Sequence, residues 1–311
     1  MGLGKILYKI YYQPKKIINE VILLGINSYF EIKRGQQQMR AGSKLIQGVN
    51  LKNKKIHNVY FLTGQNYWYQ TAFCLHSLQK VCSDYQINGI FVDDGTITEL
   101  LQQTIENQFP GSKLILNEEI ETLLDLKLPR DKFPVLRNRR SSYPHLRKIT
   151  DIHLLSGDWK LVLDSDMLFF KTPDVILHWL KEPKESFFLQ DKENSYYYSK
   201  SLMEFLTGSP IIPRLNVGVV GLDSKSINWI NLELWIKNLE EQEGSHYYLE
   251  QALSAMLSAG QKVIIANASD YIVLPDKDEA LNPSVILHHY VAGSKEWYYK
   301  NAWNQLLKTW L

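Results

Sequence analysis

Trp159-Lys-Leu-Val-Leu-Asp164-Ser165-Asp166-Met-Leu-Phe-Phe170 is the stretch from which the fold of this chain can be read. An apolar run carries two carboxylates, two positions apart, where a buried parallel strand should leave its sheet. Side chains alternate across a strand, so Asp164 and Asp166 are expected to point one way and Ser165 the other. Two carboxylates buried together without a counter-charge are costly, and one of them would protonate. A divalent cation removes that cost. Hard oxygen ligands on one edge suit Mg²⁺ or Mn²⁺, which keep open positions for water or phosphate oxygens. A polar strand end in solvent produces the same triplet, but here apolar residues on both sides make the carboxylates interrupt a core strand.

Outward from this stretch, strand and helix patterns alternate. Strands are expected at 59–63, 89–92, 113–116, 160–164, 187–190 and 217–222, with short ones at 262–265 and 284–289. Between them fall helical patterns at 67–81, 98–107, 118–126, 146–155, 173–180, 227–242 and 248–259, and an aromatic helix closes the chain. Residues 130–144 read as an irregular basic segment and those after 190 as a Tyr-rich polar stretch. The alternation implies an α/β fold, a mostly parallel sheet with helices on both faces. Ligands of such sheets bind outside the carboxyl ends of the strands, where Asp164 and Asp166 would sit. The chain holds neither a G-x-G-x-x-G nor a P-loop pattern, which argues against a dehydrogenase and a P-loop kinase.

At 311 residues, with 45% hydrophobic and 22% charged residues, the composition is that of a globular protein with a sizeable core. The 18 Tyr and 8 Trp suit a surface that handles sugars, or an interface. The overall charge of +2 hides an asymmetry: residues 1–55 carry eleven Lys and Arg against Glu20 and Glu31, a net +9. Residues 1–55 therefore read as a basic N-terminal extension, helical over 5–34 with breaks near Pro14 and Gly25 and a polar connection over 35–55. Residues 56–311 read as the main domain. Cys74 and Cys82 have neither a disulfide framework nor a zinc-ligand spacing, which suits a reducing, cytoplasmic location. The start lacks a compact apolar run followed by small residues, so no cleaved leader is expected. The most apolar stretch, 17–30, is too short to span a membrane and holds Asn19, Glu20 and Asn27. Residues 1–34 combine Lys5, Lys9, Lys15, Lys16 and Lys33 with Ile6, Leu7, Ile10, Ile17, Ile18, Val21, Ile22 and Leu24. Trp303, Leu306, Leu307 and Trp310 fall at i, i+3, i+4 and i+7. Both patterns suit either peripheral contact with an anionic membrane inner face or packing on the domain.

Several segments besides the carboxylate pair carry a resemblance. They are Phe61-Leu-Thr63-Gly-Gln-Asn66-Tyr67, Phe91-Val-Asp93-Asp94-Gly95, Arg147 seventeen residues before Asp164, and Asp191. Leu215-Asn216-Val-Gly218-Val, Leu249-Glu250-Gln251-Ala-Leu and His289-Tyr-Val-Ala-Gly293-Ser-Lys295-Glu-Trp297 complete the set. In order and spacing the chain resembles the retaining, metal-dependent GT-A glycosyltransferases of the family 8 type, the group holding glycogenin and bacterial lipooligosaccharide galactosyltransferases, over roughly residues 56–300. It departs from their pattern at Gly64-Gln65, which replace an acidic pair, and at Gly293 and Glu296.

The resemblance implies a GT-A, Rossmann-like nucleotide-diphospho-sugar transferase fold. It implies transfer of a sugar from a nucleotide-diphosphate donor, a UDP-sugar, to a glycan, lipid-linked or other hydroxyl acceptor with retention of configuration. No nucleic-acid partner is implied. Asp164, Asp166 and His289 would hold Mn²⁺ or Mg²⁺, a set of two carboxylates and an imidazole that suits Mn²⁺ at least as well. Thr63, Asn66, Tyr67, Asp93, Arg147 and Ser165 would line the donor, with Tyr67 stacking on the base. Lys295 would reach the distal phosphate. Gln251 would face the reacting carbon, and Asp191 and Asn216 would hold sugar hydroxyls. Two alternatives stand beside this reading. One is an inverting transferase, for which Val92-Asp93-Asp94-Gly95 is the supporting motif. The other is a membrane-associated nucleotide-sugar-binding protein without turnover. The basic run Arg137-Asn-Arg139-Arg140 reads as a solvated loop or as a contact for a phosphate-bearing acceptor.

Overall fold

Ile56–Thr63 (β1) places Val59, Phe61 and Thr63 at buried positions alternating with more exposed ones, the two-residue period of a strand. In the computed structural model, which describes residues 21–22, 25–51 and 54–310, β1 lies inside the main sheet, between β2 and β4. Gly64 turns the chain into Trp68–Val81 (α2), and Gln86–Asp93 (β2) returns parallel to β1, with Ile56 opposite Gln86 and Thr63 opposite Asp93. Glu99–Gln108 (α3), capped by Thr98, leads to Lys113–Ile115 (β3) on the outer side of β2. Asn117–Lys127 (α4) follows. The chain then crosses back over β1: Pro134–Ser142 (α5) and Arg147–His153 (α6) precede Trp159–Leu163 (β4), which pairs parallel with β1 on its other side.

Met167–Phe169 (β5), Asp174–Lys181 (α7), Ser186–Gln190 (β6), Lys200–Thr207 (α8) and Leu215–Asp223 (β7) come next. Trp229–Glu243 (α9), Leu249–Leu257 (α10) and Val263–Ala266 (β8) complete the seven-stranded sheet, whose order is β3-β2-β1-β4-β7-β6-β8. Only β7 runs against its neighbours β4 and β6. Tyr271–Val273 (β9), Lys277–Leu281 (α11) and Leu287–His289 (β10) build a second sheet in the order β5-β10-β9. One apolar core lies on the face of Phe61, Phe73, Phe91, Phe169 and Trp303, the other on the face of Val92, Ile120, Val162, Phe188 and Val220. The mixed α/β architecture is the one expected from the alternation. β5, β9 and α8 are additions that the residue pattern did not disclose.

Two stretches differ from their sequence reading. The polar run after residue 34 is no loose connection up to Ser43: Ile26–Ser43 (α1) is one helix. Its glycines face the end of the chain, where Lys295–Trp297 continues through a π-helical turn, Tyr298–Ala302, into Trp303–Trp310 (α12). A Cβ on Gly35 would lie 2.0 Å from the Tyr299 carbonyl oxygen, and one on Gly42 would lie 3.0 Å from both Trp303 and Leu307. Glycine here allows two helices to touch backbone to backbone. The aromatic stripe of α12 is accordingly turned inward, with Trp303 and Leu307 buried and Phe73 ringed by Trp303 and Trp310. Lys5, Lys9, Lys15 and Lys16 and their apolar neighbours up to Ile18 lie outside the described residues. Among the described residues no helix is long and apolar enough to cross a membrane.

The second correction is α5. Pro134 opens it at a position where no N–H is needed, and the Glu233 carboxylate accepts the next two N–H groups, from Val135 (2.8 Å) and Leu136 (2.7 Å). Arg137 and Arg140 are neither solvated nor open to an acceptor. Arg137 donates to the Leu128 carbonyl and to Asp125, and Arg140 grips buried Asp151 through two bonds of 2.6 and 2.7 Å. Arg139 pairs with Glu240 at 2.8 Å. Charge composition hid a helix whose arginines staple α4, α6 and α9.

Candidate active site

At the carboxyl ends of β1 and β4 the strand order reverses, and a crevice opens there in any such sheet. Asp164 leaves β4 with its N–H on the Gly218 carbonyl (2.8 Å), and the Asp166 carbonyl accepts the Tyr290 N–H (2.9 Å), so β7 and β10 fix both residues. Ser165 points the other way, into a hydroxyl chain with Thr71 (2.7 Å) and Thr63 (2.7 Å). His289, at the end of β10, brings its Nε2 to 3.3 Å from Asp166 and 3.6 Å from Asp164. Ligand atoms of the three residues lie within 4.8 Å of one another.

The histidine is oriented by its neighbours. Its Nδ1 lies 3.0 Å from the Asn216 Oδ1, which also accepts the Gly218 N–H at 2.9 Å, while the Asn216 amide donates to Asp191 at 3.2 Å. With Oδ1 so assigned, the imidazole proton belongs on Nδ1 and the Nε2 lone pair is left to face the two carboxylates. Buried Nε2 has no hydrogen-bonding partner. An orphaned nitrogen aimed between two carboxylates is what a divalent ion would complete, so the residues present fit the group the sequence implied. Gly218 makes this approach possible, since a Cβ there would meet the imidazole at 2.4 Å.

Positive charge closes the site from two sides. Lys295 sits 3.0 Å from Asp166. Burial alone would raise the Asp166 carboxyl, but the Lys295 ammonium beside it holds it well below the usual carboxylate range. Lys148, which the sequence reading missed, donates to Asp164 (2.8 Å) and to the Val217 carbonyl (3.3 Å) and pairs with Glu250 (3.2 Å). Burial disfavours its charge, yet Asp164 and Glu250 more than compensate and raise it above an ordinary lysine. Burial in turn pushes Glu250 up to about 7 against the pull of Lys148. Arg147, expected near the donor, bonds the Asp94 carbonyl in the loop that follows β2. The available signal for Lys148 was a cation within the apolar face of Leu146, Ile149 and Ile152.

The remaining expected residues divide by place. Gln251 donates to Asp191 (2.9 Å) and to the Leu215 carbonyl (2.9 Å), so Gln251, Asp191 and Asn216 form one hydrogen-bonded group beside His289. Asn66 and Tyr67 lie exposed at the start of α2, where the Asn66 carbonyl accepts from Arg40. Thr63 is buried in its hydroxyl chain with Thr71. Asp93 is occupied by the N–H groups of Gly95 (2.8 Å), Thr96 (2.9 Å) and Ile97 (3.0 Å), which makes it the former of that loop. Gly64 accommodates the neighbouring Asp94, whose carboxylate oxygen stands 2.0 Å from where a Cβ would be. At this turn the carboxylate therefore comes from the end of β2 rather than from positions 64 and 65.

No protein-family model matches the sequence, and no curated protein matches it. Solved structures do match the fold. One is the galactosyltransferase LgtC in complex with donor and acceptor sugar analogs, at TM-score 0.53 and 15% identity, covering 81% of this chain and 95% of that one. Another is mouse xyloside xylosyltransferase 1 in its apo form, at TM-score 0.51 and 13% identity, covering 75% of this chain and 97% of that one. At such identities the shared property is the fold, a GT-A architecture of mostly parallel sheet with helices on both faces.

Proposed function

We propose that the chain is a metal-dependent glycosyltransferase of the family 8 type, moving a sugar from a UDP-sugar to a hydroxyl acceptor with retention of configuration. The observation that carries this reading is the partnerless Nε2 of His289 held between Asp164 and Asp166 at the switch point of a GT-A sheet. Asp164, Asp166 and His289 would hold Mn²⁺ or Mg²⁺, which supplies charge neutralisation to a departing diphosphate. Lys295, 45% exposed in its side chain, adds an ammonium for the same developing charge. Gln251 and Asp191 offer the sugar a carboxamide and a carboxylate on the β7 side of the cluster, and Tyr67 offers a base an exposed ring on the β1 side. The inverting alternative leans on Asp93 and Asp94. Asp93 is bound to backbone N–H groups and Asp94 to Thr96, which supports the retaining reading.

The test is thermal shift and turnover with UDP-sugars. UDP plus Mn²⁺ should raise the melting point, by about 2.7 kcal/mol of stabilisation at a hundredfold excess over Kd, and EDTA should remove the gain. Asp166→Asn should abolish turnover, and proton NMR of the first product should show the donor's anomeric configuration. Full activity of Asp166→Asn in EDTA sinks the metal, and an inverted product moves the protein to the other stereochemical class.

Peripheral membrane contact through residues 1–34 is part of the proposal, supported by their mix of lysines and aliphatic residues. Salt-sensitive cosedimentation with anionic vesicles should disappear when residues 1–24 are removed. Binding that is absent at low salt, or is kept after removal, refutes it.

A further inference from the structure

Tyr197, on the loop between β6 and α8, and His246, Tyr247 and Tyr248, on the loop between α9 and α10, bring four rings together, and the proposed chemistry uses none of them. Tyr197 is 59% exposed although buried tyrosines flank it on both sides. Its neighbour Tyr196 is pinned by the Ile212 carbonyl (2.6 Å) and the Leu215 N–H (2.9 Å), directly before Asn216. The chain presents the Tyr197 ring by adopting a left-handed backbone, φ 65°, which a tyrosine rarely takes and which is characteristic of functional positions. His246 stacks on that ring in parallel, with centroids 3.4 Å apart and planes within 1°. Tyr248 lies 5.4 Å beyond, and Tyr247 borders it at 5.5 Å. Glu243 ties the two loops together by accepting the Ser199 N–H at 2.7 Å.

This surface is anchored to the reacting groups. The Tyr143 hydroxyl donates to the Tyr247 carbonyl and accepts the Glu250 N–H, one residue from Gln251. The Tyr247 phenol is near enough for the charges of Lys295, Asp164 and Asp166 to act on it. In the sheet order, Tyr67 follows β1, Asp164 and Asp166 follow the adjacent β4, and Tyr197 follows β6, two strands further on. A donor spanning from Tyr67 to the cluster leaves the ring surface on the acceptor side. Contiguous exposed rings bordered by polar groups mark a binding surface. A pyranose suits it, because one face of the sugar ring is a plane of C–H bonds while its hydroxyls remain at the edge for water and polar side chains.

We propose that Tyr197, His246, Tyr247 and Tyr248 form an acceptor subsite that stacks a pyranose ring of a glycan. The proposal rests on the glycosyltransferase reading, and the experiment separates the two. Saturation-transfer NMR on the full chain would use lactose, methyl β-galactoside, methyl α-glucoside and N-acetylglucosamine, with UDP–Mn²⁺ titrated in parallel. Wild type should transfer saturation to ring C–H protons of at least one sugar. Tyr197→Gly accepts the left-handed backbone and should keep the melting point within a few degrees while reducing transfer by roughly fivefold or more. His246→Ala should reduce it as well. No transfer to any of the four sugars, or transfer unchanged in both variants, overturns the subsite. A lowered melting point with transfer retained in Tyr197→Gly overturns it too, by marking a packing residue. UDP–Mn²⁺ binding without sugar transfer removes the subsite alone, whereas sugar transfer without UDP–Mn²⁺ binding removes the glycosyltransferase reading.

Discussion

Gly218 carries the geometry of the cluster without contributing an atom to it. Its missing Cβ leaves room for the His289 ring, and its N–H helps hold the Asn216 oxygen that orients that ring. Gly218→Ala should therefore push the imidazole off its axis. Outer partners of a metal ligand typically affect affinity by about 10- to 100-fold, so Mn²⁺ affinity measured by calorimetry should fall by that order. Overpacking should also lower stability by about 1–3 kcal/mol. Unchanged Mn²⁺ affinity would remove Gly218 and His289 from the metal site. At this scale Asp164, Asp166, His289 and Lys295 were legible because their chemistry is conspicuous inside apolar or motif-like surroundings. Lys148 was passed over, because its one signal, a cation within the apolar face of Leu146, Ile149 and Ile152, does not say which carboxylates it meets.

Helix packing corrects the picture at the scale of elements. A glycine in a helix interior is ordinarily improved by alanine, by roughly 0.5–1 kcal/mol. Gly35→Ala should do the opposite, since its Cβ would stand 2.0 Å from a backbone oxygen of the π-helical turn, a neighbour that cannot rotate away. The melting point should drop, and the Lys300 contacts to Glu31 and Glu296, 2.7 Å each, should loosen with it. A raised melting point would mean that α1 does not rest on the chain's end. Glycine and glutamine in 35–43 resemble a linker in composition because composition does not record what a bare backbone touches. α5 was hidden for a related reason: its arginines find their carboxylates on α4, α6 and α9, distant in sequence, and its cap is Glu233.

Across the molecule, acid should be the weak direction. Burial, reinforced by Lys160, pushes His153 down to about 3, and burial with Lys80 pushes His76 down to about 4. Around His153 the packed groups are Ser224, at 2.8 Å, and Lys160, which donates to the same hydroxyl at 2.6 Å. Both imidazoles take up protons near 6.5 once unfolded. The unfolded chain thus binds more protons between pH 6.5 and the folded values. Stability is full above 6.5 and drains as pH falls, by about 1.4 kcal/mol per unit for each group. Glu250, raised to about 7, works in the opposite direction over the same window, but it is one group against two, so urea midpoints measured from pH 7 to 4.5 should decline. A midpoint that rises on acidification would show the imidazoles to be charged in the fold. The sequence by itself determined the α/β alternation, the strand that ends in Asp164 and Asp166, and the order of motifs around it, because period and residue chemistry are local properties. Only the tertiary structure decided that Asn216 aims His289, that Lys148 reaches Asp164 and Glu250, and that Tyr197 and His246 stack. Those relations join residues tens to hundreds of positions apart, or depend on how one helix is rotated, and they exist only once the sheet has brought its edges together.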